Sequence, residues 1–185
     1  MAIDTSNINT KGAVVTIGGT VLNAPDADGF YWDTISGVDL GCTQGGVTVS
    51  YSFEKNDIFC DQTLAAVASS IISETAEVSF NMLESDVEHL QYAIQQMSYL
   101  ETVGVDKKIA VGGVTAINYV PLKLEVADQD TGNLTVWTFF KVLTGGIEIN
   151  FERDNATQVQ VTFTAYAETS YPAGSQLFSI REDIS

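Results

Sequence analysis

One histidine, two cysteines and a scatter of carboxylates make up the chain's supply of groups able to do chemistry. His89 would have to serve any Ser-His-Asp or Cys-His arrangement, because such a site needs a base to take the nucleophile's proton. No partner stands near it in sequence, and a solvated or contact-surface histidine on a helix is the plainer reading. Cys42 and Cys60 have neither CxxC spacing nor a histidine cluster, so no metal site and no disulfide framework is expected. The acids of DADG (26–29) and DQDTGN (128–133) gather as calcium loops do. Neither has the D-x-[DN]-x-[DN]-G-x5-E spacing, and Asx-type turns account for both. Gly-Gly pairs recur without GxGxxG or GxxxxGK[ST], so no phosphate cradle is indicated. A glycosidase-type carboxylate pair cannot be picked out of 24 acids. The expected catalytic, cofactor and metal sets are therefore empty, and a binding or structural role is expected in place of an enzyme.

What must position such residues is mostly strand. Apolar residues make up 45% of 185, enough for one domain with a sizeable core. Valine, isoleucine, threonine, tyrosine and phenylalanine are plentiful, which favours strands. The formal charge is −16, from 24 acids against 8 bases. Such a surface repels phosphate and supplies few cations to release counterions, so ordinary nucleic-acid binding is disfavoured. It also lets a nucleic acid move past without sticking; solubility alone is the bland alternative. The N-terminal sequence has no basic region leading into an apolar core, and no run approaches the ~18 apolar residues of a membrane span. A cytoplasmic origin, free thiols and no membrane partner are expected. The Asn-x-Thr sites at Asn133 and Asn155 read as turn residues.

Along the chain, residues 1–11 are polar and patternless and read as an arm. GGVTVSYSFE (45–54) alternates, with Val47, Val49, Tyr51 and Phe53 on one face. Residues 55–74 break that alternation and read as a long loop, of the kind that works at interfaces. Val78, Phe80 and Met82 alternate again. LTVWTFFKV (134–142) is apolar on both sides and predicts a strand buried on both. Ile147, Ile149 and Phe151 are expected inward, as are Val159, Val161, Phe163 and Ala165. Residues 169–185 read as a C-terminal arm.

One helix interrupts this. Ser85 and Glu88 give the S-x-x-E signature of a helix start, and Val87, Leu90, Ile94 and Met97 recur at helical spacing. It is predicted over about 85–98. There is also an internal echo. GGVTVSYSFEKND (45–57) is similar to GGIEINFERDNAT (145–157), and each precedes a V-[ST]-F-[NT] strand. The polar positions of these four strands hold Ser, Thr, Asn, Gln, Glu54, Glu77, Glu148 and Glu152, and no lysine or arginine. They describe a sheet with one apolar face and one hydrated, anionic face.

FCDQTLAAV, a connection of small and apolar residues, the strand EVSFNMLE and then SDVEHLQYAI together resemble the tail tube (major tail) proteins of bacteriophages. The likeness covers about 45–100, with Asp61-Gln62, the strand at 77–84 and the helix occupying the family's places. It implies a mainly β fold: a single antiparallel β-sandwich or barrel-like protomer over 1–185 with one flanking α-helix. It further implies a virion structural protein, assembled in the host cytoplasm, whose six-membered rings stack into a tube that conducts DNA. Implied partners are further copies of the chain, tape-measure and tail-terminator proteins and, in contractile tails, a sheath. On this reading Glu54, Glu77, Glu148 and Glu152 face the lumen, and the DNA passes without sequence-specific binding. Asp61, Gln62, Leu64, Val67, Val87, Leu90 and Ile94 serve subunit or ring interfaces. The inner tube of a tailocin or of type VI secretion shares the architecture. From another class, a β-sandwich carbohydrate-binding or adhesion module would use Tyr31, Trp32 and Trp137 as stacking platforms.

Overall fold

The computed structural model describes residues 12–19, 21–25, 31–61, 65–83, 85–94, 98–103, 106–113, 117–127, 133–151 and 157–183. In chain order the elements are β1 (Val14–Ile17), β2 (Val21–Pro25), β3 (Tyr31–Ile35), β4 (Val38–Asp39), β5 (Thr43–Phe59) and β6 (Ala66–Met82). Then come α1 (Val87–Ile94), β7 (Ser98–Val103), β8 (Asp106–Val111), β9 (Val120–Ala127), β10 (Leu134–Asn150), β11 (Gln158–Ala165) and β12 (Phe178–Asp183).

The main sheet runs β4-β1-β9-β10-β11-β6-β5, with β12 also on β10, and β2–β3 and β7–β8 form separate ribbons. Every pairing is antiparallel. The sheet is mainly β as expected but open, since its order ends in β4 and β5 and does not close into a barrel.

β10 is the hub. Residues 134–139 pair with both β9 and β12, so they are flanked on both edges. Side chains of both alternations are buried in this half: Val136, Thr138, Phe139, Phe140 and Val142. At Val142, β9 and β11 are partners on opposite edges, so β11 takes over the edge that β12 held. One continuous core joins Val15, Ile17, Leu122 and Leu124 from one end of the sheet to Val78, Phe80, Val161 and Phe163 from the other. Phe80 and Phe163 stack at 6.0 Å in its middle, and each such side chain contributes about 1.5–3 kcal/mol by leaving water.

Three expectations are corrected. Residues 55–74 are not a loop: β5 continues to Phe59 and β6 starts at Ala66. The C-terminal arm contains β12, which pairs with β10 from Leu134↔Asp183 to Phe139↔Phe178. The helix ends earlier than 98, because Ser98 already belongs to β7. The N-terminal arm, residues 1–11, lies outside the described residues.

Candidate assembly surface

Four strands, the second half of β10 with β11, β6 and β5, form a sheet with two unlike faces. One face packs on the core in rows across the strands. Ile147, Val161, Phe80 and Val47 make one row, and Ile149, Val159 and Met82 the next. The opposite face carries Glu148, Gln160, Asn81 and Gln44 in one row, and Gly146, Thr162, Ser79 and Thr48 in another. Thr164, Glu77 and Ser50 form a third. Side chains along these rows satisfy one another: the Gln158 amide donates to Gln44 Oε1 at 2.8 Å, and the Ser73 hydroxyl to Glu54 Oε2 at 3.2 Å. Glu54, Glu77 and Glu148 therefore share one exposed face, as the alternation predicted; Glu152 lies outside the described residues.

Both outer edges of this sheet are open among the described residues. β5 pairs with β6 alone, leaving its other edge bare from Thr43 to Phe59. Beyond Val142, β10 has β11 on one edge and no strand on the other. The strands alternate in direction across the sheet, so β5 and β10 run antiparallel to each other. An open edge presents unpaired N–H and C=O groups, a ready template for another chain.

The internal echo lies on these outer strands. Gly45-Gly46 and Gly145-Gly146 each sit at a β-bulge, between Gln44 and Val47 in β5 and between Thr144 and Gly146 in β10. Gly45, Gly46 and Gly146 have φ of 80°, 86° and 123°, which only glycine adopts cheaply. The two hairpins lie side by side, with Val78-Ser79-Phe80 paired antiparallel to Val161-Thr162-Phe163 about Ser79↔Thr162.

Past Ser52, β5 and β6 pair only with each other and project as a two-stranded ribbon. Sequence reasoning missed it because extra residues between Ser73 and Ile71, and between Ala68 and Ala66, break the period-2 pattern. Its side chains are exposed although many are apolar: Phe53 54%, Phe59 65%, Ile72 66%, with Ile58, Val67 and Ile71 similar. Asp61 lies exposed in the turn at its tip; Gln62 and Leu64 lie outside the described residues. Phe151, expected inward, is 80% exposed just past the end of β10.

At its base, the Tyr51 hydroxyl donates to Glu74 Oε1 at 2.7 Å, and that bond to a carboxylate raises the tyrosine's pKa. Tyr51, Glu74, Tyr166, Gln176, Leu177 and Phe178 are among the residues lining a cavity of about 530 Å³ there. Nearby, Ser170 holds Glu168 below the usual carboxylate range through its backbone N–H and hydroxyl.

Helix α1 covers the core side of the sheet. Ala93 is buried, Leu90 and Tyr92 pack against the core, and Val87 and Ile94 are half-buried. Its cap is Asp86, one residue later than the S-x-x-E signature predicted. Partial desolvation pushes the Asp86 carboxyl up, but bonds from the His89 ring and from the backbone N–H of His89 and Glu88, with the His89 charge, outweigh it and lower its pKa. His89 is thus part of the cap, bonded to Asp86, and Lys107 of β8 pairs with Glu88.

Among the described residues no group of three or more His, Cys, Asp or Glu is placed to hold a metal ion. No helix there is long and apolar enough to cross a membrane. Cys42 and Cys60 are not disulfide-bonded. Trp137, a candidate sugar platform, is half-buried and stacks on Phe178 at 5.8 Å; the side chains of Tyr31 and Trp32 lie outside the described residues.

No protein-family model matches the chain, and no curated protein does. Two of the solved structures similar to it are phage-like particles. One is the tail of an empty gene transfer agent (GTA) particle, refined helically in C6 symmetry: 9% identity, 83% of this chain and 92% of that one, TM-score 0.46. The other is the virion of a native gene transfer agent particle: 11% identity, 93% and 98% of the two chains, TM-score 0.44.

Proposed function

We propose that this chain is the structural protomer of a phage tail tube, joined edge to edge into rings that stack. The observation that carries this is the four-stranded sheet with one polar face and two open edges of opposite direction. An even strand number means that the β5 edge of one copy meets the β10 edge of the next antiparallel, by one repeated rotation. Head-to-tail contacts of that kind close into a ring and leave no strand edge exposed.

Six copies, the number implied by the family resemblance, would give about 24 strands. At ~4.8 Å spacing and a tilt of ~35–45°, the barrel's backbone radius is roughly 22–26 Å, which leaves a bore wide enough for a DNA duplex after side chains are added. The polar face turns inward, lined by hydroxyl and amide rows with Glu54, Glu77 and Glu148, and Glu152 is assigned to the same lining. A lining without cations gives phosphates nothing to bind, so DNA slides through. The ribbon, with Asp61 and Val67 on it, reaches the next ring, and Gln62 and Leu64 are assigned to the same contact. Its exposed Phe59, Ile71 and Ile72 become buried there. Val87, Leu90 and Ile94 lie at the seam between copies, where Leu90 also covers its own sheet. Tape-measure, terminator and sheath proteins would meet this same assembly, which places the chain in the virion.

Negative-stain electron microscopy of the purified protein, across concentration and salt, tests this. Rings or hollow tubes are expected. A monodisperse monomer at every condition, including with added tail initiator complex, would contradict it.

A further inference from the structure

Beside the open edge of β10 lies an apolar depression of about 440 Å³. It is lined by Thr144, Gly145, Gly146 and Ile147, by Ile94 at the end of α1, and by Val111 at the end of β8. Neither glycine contributes a side chain to it: a Cβ on Gly146 would meet nothing within 4 Å, and one on Gly145 would lie 3.4 Å from the Thr162 carbonyl oxygen. At the other open edge, Phe53 follows Val47, Val49 and Tyr51 on the core-side face of β5, yet it is 54% exposed, with only the Tyr51 ring beside it at 6.4 Å among the described aromatic rings.

We propose that Phe53 of one copy seats in this depression on a second copy, keying each joint with an aromatic ring over a Gly-Gly bulge. The assignment rests on the ring reading above and names the contact that sets its register. The row Val47–Phe80–Val161–Ile147 runs straight across the four strands. In an untilted ring, Val47 of the next copy would face Ile147. In a barrel tilted by ~35–45°, crossing four strands displaces the neighbour along the strand by roughly 13–19 Å, about 4–6 residues. The shift must be even, or the apolar face would turn into the lumen. Its direction follows from the edges: β5 stops at Thr43 but continues past Ser52 to Phe59, so only a shift toward the ribbon leaves both edges paired.

A shift of about four residues puts Tyr51 beside Ile147 and Phe53 at the Gly145 bulge; about six puts Phe53 beside Ile147. Both seat Phe53 in the depression. An aromatic ring covering an edge glycine supplies the burial that glycine lacks. The charges agree in sign. Glu74, paired across from Phe53 on the same face, approaches β8, which carries Lys107 and Lys108, two of the chain's eight cations.

The test is cross-linking between copies. In a Cys42→Ser, Cys60→Ser background, one preparation carries Phe53→Cys and another Val111→Cys; they are mixed, assembled and oxidised. A disulfide-linked pair that needs both variants and forms only in assembled material is expected. Normal rings without that link would overturn the Phe53 assignment alone, whereas a background protein that never forms rings would overturn the ring reading and this with it. Separately, Phe53→Ala is expected to raise the concentration needed for ring formation at least ~10-fold. Phe53→Leu should restore most of it, with the monomer's unfolding transition unmoved. A Phe53→Ala protein that assembles like its parent would also overturn the assignment.

Discussion

Asp86 shows how one residue sets up its element. Its carboxylate caps α1, and its lowered pKa makes that contribution dependent on pH. A depressed carboxyl stabilises the fold fully above its ordinary value of 3.8, and the contribution is lost as pH falls through the folded-state value. Asp86→Ala is expected to cost about 1 kcal/mol at neutral pH and to remove part of the acid sensitivity, read as a lower Tm by circular dichroism. The position of the cap was only nearly legible. Ser85/Glu88 and Asp86/His89 both have the three-residue spacing, and spacing alone does not say which residue leaves helical geometry. Core residues were more readable. Phe163, inward on the alternation, is fully buried against Phe80. Phe163→Ala should cost about 3–5 kcal/mol in denaturant unfolding, and a value under 1 would mean that Phe163 does not lie in the core.

At the scale of elements, the strands that alternate strictly, such as β11 and the second half of β6, were readable because one face is core and the other water. The ribbon was not. Its bulges shift the period, its residues face water on both sides, and small Ala and Ser residues carry little signal for either face. β12 was missed for a related reason, since one short strand after a turn-rich stretch offers no repeated pattern. The ribbon leads to a separable prediction. Replacing 55–71 by a tight turn should leave the monomer's Tm within a few degrees, because those residues pair with nothing but each other. Electron microscopy of that variant should show rings that no longer stack; intact tubes would remove the ribbon from the contact between rings.

For the whole molecule, the −16 charge sets the terms of assembly. In the proposed ring, neighbouring copies would repel one another over the Debye length, ~30 Å at 0.01 M salt and ~8 Å at 0.15 M. The concentration at which light scattering detects assembly should therefore fall as salt rises over that range. A threshold that rises with salt would mean that attraction between opposite charges dominates the contacts. The fold class was legible in composition and alternation, but the open edges were not. Which edge of a strand lacks a partner depends on long-range pairing, and β10 looks the same in sequence whether β9 covers all of it or only its first half.

Hydrogen–deuterium exchange, measured on the monomer and on assembled material, addresses the joint itself. The amides of 43–54 in β5 and 143–150 in β10 that face the open edges should exchange quickly in the monomer and slowly after assembly. Those of β6 at 76–82 and of β11, already paired on both sides, should change little. Assembly that protects the ribbon or the helix, and leaves both open edges exchanging as before, would contradict the edge-to-edge ring.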